Sequence, residues 1–160
     1  MTTRTTEPAI SAYLHAKGAA QGIPVGGNFE LTARCNFDCP MCYVHLKQND
    51  IDARGKELTA QQWIDIAQEA RDAGMVFALL TGGEPFVRKD FFEIYNAMKA
   101  MGLLISINTN ASLLTDELIS FFRKDIFRTV LHLAVNHCRV HIRKPLTNQK
   151  HCRERAKRRE

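Results

Sequence analysis

Apolar residues recur at helical spacing in three segments of this chain, and short apolar runs lie between them. Asn28–Thr32 reads as a first strand. Thr59-Ala60-Gln61-Gln62 has the form of a capping box, in which the Thr59 hydroxyl satisfies the Gln62 backbone N–H. The helix it opens is predicted to run to about Ala73, with Trp63, Ile64, Ile66, Ala67 and Ala70 as its apolar stripe and Gly74 as its stop. Met75–Leu80 is uninterrupted and glycine-bounded, as suits a buried parallel strand. Asp90-Phe91-Phe92-Glu93 predicts a second capping box. Phe91, Phe92, Ile94, Tyr95, Met98 and Met101 form the apolar face of its helix, and Gly102 ends it. Leu103–Asn108 is a third strand, with Ile105 and Ile107 on one face and Ser106, Asn108 and then Asn110 on the other. Thr115 caps a third helix over Asp116–Arg123, with acids in its first turn and bases at its end. Arg128–Val135 is a candidate fourth strand. Before all of these, residues 1–22 are polar and alanine-rich, with room for a helix over Ile10–Ala20. Residues 47–57 are polar and read as loop.

Strand, loop and helix thus recur three times with short connections, which predicts βαβ units and a parallel sheet. Right-handed crossovers bring the strand ends side by side. The loops after strands one, two and three then share one rim.

The first of those loops carries Cys35, Cys39 and Cys42 at spacing C-x3-C-x2-C. Three thiolates this close can hold three corners of one metal centre, and an odd number cannot pair off as disulfides. A four-iron cluster normally takes four thiolates, so three leave one iron with an open position. An open position on a metal is where a small molecule binds and reacts. The competing reading is a zinc site, which more often uses C-x2-C pairs far apart. The second loop is Thr81-Gly82-Gly83-Glu84-Pro85. Its glycines allow backbone to approach a ligand closely, Glu84 is an acceptor suited to an ammonium, and Pro85 fixes the exit. The plain alternative is an ordinary strand-to-helix turn.

The cysteine spacing followed about forty residues later by Gly-Gly-Glu-Pro resembles the radical S-adenosylmethionine (radical SAM) enzymes, over about Ile23 to Val130. The resemblance implies an α/β fold, a partial (β/α) barrel. It implies that Cys35, Cys39 and Cys42 ligate a [4Fe–4S] cluster whose fourth iron chelates S-adenosylmethionine. It further implies that one electron, from a donor such as a flavodoxin or ferredoxin, releases a 5′-deoxyadenosyl radical that abstracts hydrogen from substrate. Gly82, Gly83, Glu84 and Pro85 would meet the methionine amino group. Ser106, Asn108 and Asn110 would line the cofactor pocket, although polar residues closing a strand also bond local backbone. Met41 stands where the family often has an aromatic residue near the adenine. Ala111 stands where the family has glycine, and if that position needs φ > 0 the alanine costs about 1 kcal/mol. Phe29–Asn36 and the Cys42-Tyr43 pair look most like the branch that matures peptides and proteins, so a peptide is the expected substrate class. Tyr43, His45 and Trp63 are expected to be core or loop residues.

Composition changes this picture only at the end of the chain. The net charge of +5 over 160 residues comes from residues 139–160, which hold nine Lys/Arg against two acids and leave 13 bases against 15 acids elsewhere. A near-neutral body gives no argument for nucleic acid, and the tail has no aromatic residue for stacking, so nucleic acid is not the expected partner. No apolar run is long enough for a membrane span and no secretory h-region opens the chain, so a cytoplasmic protein with reduced thiols is expected. The expected organisation is a leader over 1–22, an incomplete radical SAM core over 23–135, truncated after three to four βα units, and a basic, disordered or frame-shifted tail over 136–160. A non-catalytic fragment that binds a cluster or zinc, and a nucleic-acid-associated protein acting through its tail, are the alternatives.

Overall fold

The computed structural model describes residues 9–39, 42, 46–47, 49–50, 52, 55–124, 129–135 and 138–139. Helix α1 (Ala9–Gln21) leads into strand β1 (Gly26–Thr32). Two short strands follow, β2 (Arg34–Cys35) and β3 (Leu46–Lys47), and then α2 (Ala60–Asp72) and β4 (Phe77–Gly82). A single 3-10 turn (Pro85–Val87) precedes α3 (Phe91–Ala100), β5 (Leu104–Thr109), α4 (Asp116–Lys124), β6 (Thr129–Val135) and β7 (Cys138–Arg139).

The main sheet has the order β1-β4-β5-β6-β7, parallel from β1 to β6 and antiparallel at the last pair. The parallel part is the expected run of βαβ units, and β6 is the candidate fourth strand. Of the expected 136–160 tail only residues 138–139 are described, and the rest of that expectation lies outside the described residues.

Helices cover one face of the sheet. Phe29 and Leu31 of β1, Ala78 and Leu80 of β4, and Ile105 and Ile107 of β5 pack with Ala67, Phe91, Ile94, Tyr95, Met98 and Phe122 in one buried cluster, against which Trp63 rests. Each fully buried Leu or Ile contributes roughly 1.5–3 kcal/mol. Phe91, Phe92, Tyr95, Phe121 and Phe122 form an edge-to-face seam between α3 and α4. The Tyr95 hydroxyl satisfies itself on Thr129 Oγ1 at 2.7 Å, which ties α3 to β6. On the opposite face Asn28, Glu30, Leu79, Ser106 and Asn108 stay partly or fully exposed, and Val130 is 53% exposed. This half-covered parallel sheet is a partial barrel wall.

Local signals behave as the physical rules require, with one exception. Thr59 Oγ1 accepts from Gln62 N at 3.2 Å and Gln62 Oε1 accepts from Thr59 N at 2.9 Å, so the first capping box forms. Thr115 Oγ1 likewise accepts from Leu118 N. The second predicted box, at Asp90, does not form: Asp90 makes no side-chain cap bond. Its carboxylate instead takes Arg88 Nε at 2.9 Å and Nη2 at 2.6 Å. A bidentate bond to a cationic guanidinium outcompetes a cap bond to uncharged backbone N–H groups. The strand expected at Met75–Leu80 begins two residues later. Met75 N still bonds Ala70 O, and pairing with β1 starts at Gly26↔Phe77.

Candidate functional site

The rim where β1, β4 and β5 end is built by close backbone approach. Gly82 (φ +140°) and Gly83 carry β4 across the end of β1. A Cβ on Gly82 would stand 2.2 Å from Thr32 O, and one on Gly83 would stand 2.4 Å from Arg34 O. Gly83 N donates to Thr32 O at 2.8 Å and Glu84 N to Arg34 O at 3.0 Å. The chain leading into Cys35 is thus one neighbour that requires the two glycines. A two-residue parallel ladder, Arg34↔Leu46 and Cys35↔Lys47, closes the base of the cysteine loop from the other side.

Glu84 is fully buried. Its carboxylate accepts from the Thr109 hydroxyl at 2.9 and 3.0 Å, from Asn110 N at 2.7 Å and from Phe86 N at 3.1 Å. It thus stitches the end of β5 to the turn after β4. Burial pushes its carboxyl above the ordinary range, against the pull of these dipoles.

Cys35, Cys39 and Cys42 are not in disulfides, and each is half-buried. Cys42 N donates to Cys39 O at 2.9 Å, a tight turn that keeps those two residues together. The Cys35 sulfur receives Phe37 N at 3.4 Å and Asn110 Nδ2 at 3.8 Å. Desolvation raises its thiol above the ordinary value. Among the described residues no three of His, Cys, Asp and Glu gather round a single point. An iron–sulfur cube instead takes its thiolates at separate corners. A donor set of three thiols outside any disulfide on one loop, with N–H groups turned to the first sulfur, suits such a cluster.

Beneath the loop lies an ionic network. Glu57 accepts from Arg34 Nε at 2.7 Å and Nη2 at 3.0 Å, accepts from the Thr32 hydroxyl, and lies 3.6 Å from Arg88 Nη1. Arg88 also donates to Leu31 O at 2.8 Å and Leu58 O at 2.9 Å. Burial works against the Glu57 charge, yet the Arg34 and Thr32 hydrogen bonds and the two guanidinium charges hold its carboxyl below the ordinary range. The Glu57 hydrogen bond raises Arg34 in turn.

The structure brings Cys35, Gly82, Gly83, Glu84, Pro85 and Asn110 together at one rim. Asn108 sits below it on the open face of β5. Ser106, roughly 13 Å along the chain from Asn110, lines a separate cavity of about 540 Å³ at the strand beginnings with His15, Asn28 and Phe77. Met41 lies outside the described residues. Sequence reasoning missed Asn36, Ser112, Glu57 and Arg88. Asn36 adjoins a ligand cysteine and Arg88 follows the Gly-Gly-Glu-Pro turn, so proximity to motifs was an available signal for them. Nothing local marks Glu57.

Comparison with known proteins agrees with this geometry. The Radical SAM superfamily profile matches residues 29–159. The chain is 36% identical over 99 residues, 62% of its own length, to the PqqA peptide cyclase of Bradyrhizobium diazoefficiens. It is 40% identical over 96 residues, 60% of its length, to that of Methylocella silvestris. It spans about a quarter of the length of these curated relatives. Streptococcus suis SuiB bound to its precursor peptide SuiA has the same fold over 83% of this chain and 31% of that one, with a TM-score of 0.58 at 20% identity. The S-adenosylmethionine complex of SuiB matches with a TM-score of 0.57 at 19% identity, over 83% of this chain and 31% of that one. With the three cysteines, the Gly-Gly-Glu-Pro turn and the parallel sheet that unites them, the chain belongs to the radical SAM superfamily, whose members use a [4Fe–4S] cluster and S-adenosylmethionine.

Proposed function

We propose that this chain is the cluster-bearing part of a radical SAM enzyme that acts on a peptide. The observation that carries the reading is the single hydrogen-bonded rim joining Cys35, Asn110 and Glu84 across the ends of three parallel strands. The peptide substrate is supported by relatives named as peptide cyclases and by the fold shared with SuiB.

In this reading Cys35, Cys39 and Cys42 hold the cluster. Once bound, the cluster supplies one electron, taken from a flavodoxin or ferredoxin, that splits S-adenosylmethionine into methionine and a 5′-deoxyadenosyl radical. The Gly82–Pro85 turn, Asn108 and Asn110 face the cofactor from β4 and β5, with Ser106 deeper on the same face and Met41 on the cysteine loop. Glu84 positions that turn through its bonds to Thr109 and Asn110. Contact with the cofactor's ammonium then falls to the turn's main chain, with the Glu84 charge behind it.

Anaerobic reconstitution tests the reading. About four irons per chain, a reduced-cluster paramagnetic signal altered by S-adenosylmethionine, and release of 5′-deoxyadenosine are the expected results. Cys35→Ala, Cys39→Ala and Cys42→Ala should each abolish the signal. Zinc at unit stoichiometry with no iron taken up overturns the reading. Iron without cleavage of S-adenosylmethionine assigns the chain to cluster binding alone.

A further inference from the structure

Three side chains that the cluster does not use as ligands form a closed, directional ring beside Cys35. Asn110 Nδ2 donates to Asn36 Oδ1 at 2.9 Å. Asn36 Nδ2 donates to Ser112 Oγ at 2.7 Å. The Ser112 hydroxyl donates to Asn110 Oδ1 at 2.6 Å. The orientation of the Asn110 amide is not arbitrary, because Ser112 N also donates to the same Asn110 atom at 2.9 Å. A backbone N–H can only donate, so the atom it meets is the oxygen and the amide nitrogen faces the other way. That nitrogen has two hydrogens. One serves Asn36, and the other is left for the Cys35 sulfur 3.8 Å away.

The backbone is pinned as firmly as the side chain. Asn110 N is held by Glu84 at 2.7 Å, and Ala111 N by Thr109 Oγ1 at 3.0 Å. Ala111 sits at φ +63°, the only positive φ outside glycine among the described residues. A turn held in that conformation costs free energy, and its effect here is to bring Asn110 back over the cysteine loop.

We propose that Asn110, aimed by Asn36 and Ser112, is a positioning donor to the Cys35 sulfur that raises the reduction potential of the metal centre. The inference rests on the cluster reading given above and adds a residue-level control to it. A donor N–H on a ligand sulfur stabilises the more negative, reduced state. Asn110 is uncharged and acts through one hydrogen bond, so it changes the potential without adding net charge to the site.

The test is a redox titration of the anaerobically reconstituted full chain, followed by the paramagnetic signal of the reduced centre, with iron content measured on the same samples. Wild type is compared with Asn110→Ala, which removes the donor, and Ser112→Ala, which leaves the donor but opens the ring. Both variants should retain wild-type iron. At a fixed applied potential the reduced-to-oxidised ratio should fall about tenfold in Asn110→Ala, which for a one-electron couple is about 59 mV. In Ser112→Ala it should fall by less. Iron-loaded variants with the wild-type potential overturn the proposal. If only Asn110→Ala fails to load, Ser112→Ala decides by the same criterion. Loss of iron from both variants also overturns it, because the ring then builds the site and does not tune it. A wild-type chain that takes up no iron fails at the earlier step and removes the cluster reading itself.

Discussion

Two carboxylates flank the cysteine loop, Glu57 partly buried and Glu84 fully buried, and they are held in opposite ways. Glu57 lies under the loop between two guanidinium groups, Arg34 and Arg88. Glu84 lies behind the rim among uncharged donors, the Thr109 hydroxyl and the N–H groups of Phe86 and Asn110. Both tie the chain beside Cys35 to a distant segment. The charged partners hold Glu57 below the ordinary 4.5, whereas burial without a cation raises Glu84 above it. Glu57 is thus held as an anion to lower pH than a free carboxylate. Glu84 has no ion pair among the described residues, and it stands on the side where the proposed cofactor would bring an ammonium and a sulfonium. The same residue type serves as foundation in one place and as a receptive charge in the other.

Substitutions that separate the two roles should differ in size. Glu57→Ala leaves Arg34 and Arg88 buried with no shared counter-charge, and a loss of about 3–5 kcal/mol is expected in chemical denaturation. A loss below about 1 kcal/mol would mean the network is not the foundation described. Gly82→Ala comes next. Its Cβ meets Thr32 O and its φ is one that alanine avoids, so a loss on the order of 3 kcal/mol is expected, with lower iron uptake on reconstitution. Glu84→Gln keeps the shape but turns an N–H₂ towards donors, which should cost about 1–3 kcal/mol near pH 5.

The dependence on pH sharpens the contrast. The Glu57 contribution is complete above 4.5 and fades as pH falls through its lower, folded value. Wild type minus Glu57→Gln should therefore shrink in acid. For Glu84 the folded protein holds the proton more tightly. Stability declines as pH rises from 4.5 to the folded value and stays lowered beyond it. Wild type minus Glu84→Gln should therefore shrink as pH rises. Urea titrations of both variants from pH 3.5 to 8 read the two slopes, and slopes of the same sign would erase the distinction. The smallest effect is a gain: Ala111→Gly relieves the positive φ and should stabilise by about 1 kcal/mol at most.

Much of this was legible in the chain. Glycine-bounded apolar runs and helical stripes located β4, β5, α2, α3 and α4 because each pattern records a burial that every βα unit must satisfy. The suspicion attached to Ala111 was well founded, since the structure holds it at φ +63°. One misreading came where two local options competed. Asp90 looked like a cap and became a partner of Arg88, because a guanidinium two residues away binds a carboxylate better than a backbone N–H does. Gly82 and Gly83 pack closely against Thr32 and Arg34, a partner that the glycine pair does not name. A sequence shows that backbone must come close, but not to what.

The sequence by itself determined the βαβ alternation, the cysteine spacing and the rim on which the loops converge, because periodicity and turn chemistry are local properties. Only the tertiary structure decided that Glu57 pairs with Arg34 and Arg88, that Glu84 is sealed behind the rim, and that Asn36, Asn110 and Ser112 close a ring beside Cys35. The contacts between segments among these join residues 23 to 76 positions apart. Their energies depend on burial and on which charge stands opposite, and neither exists until the sheet has formed.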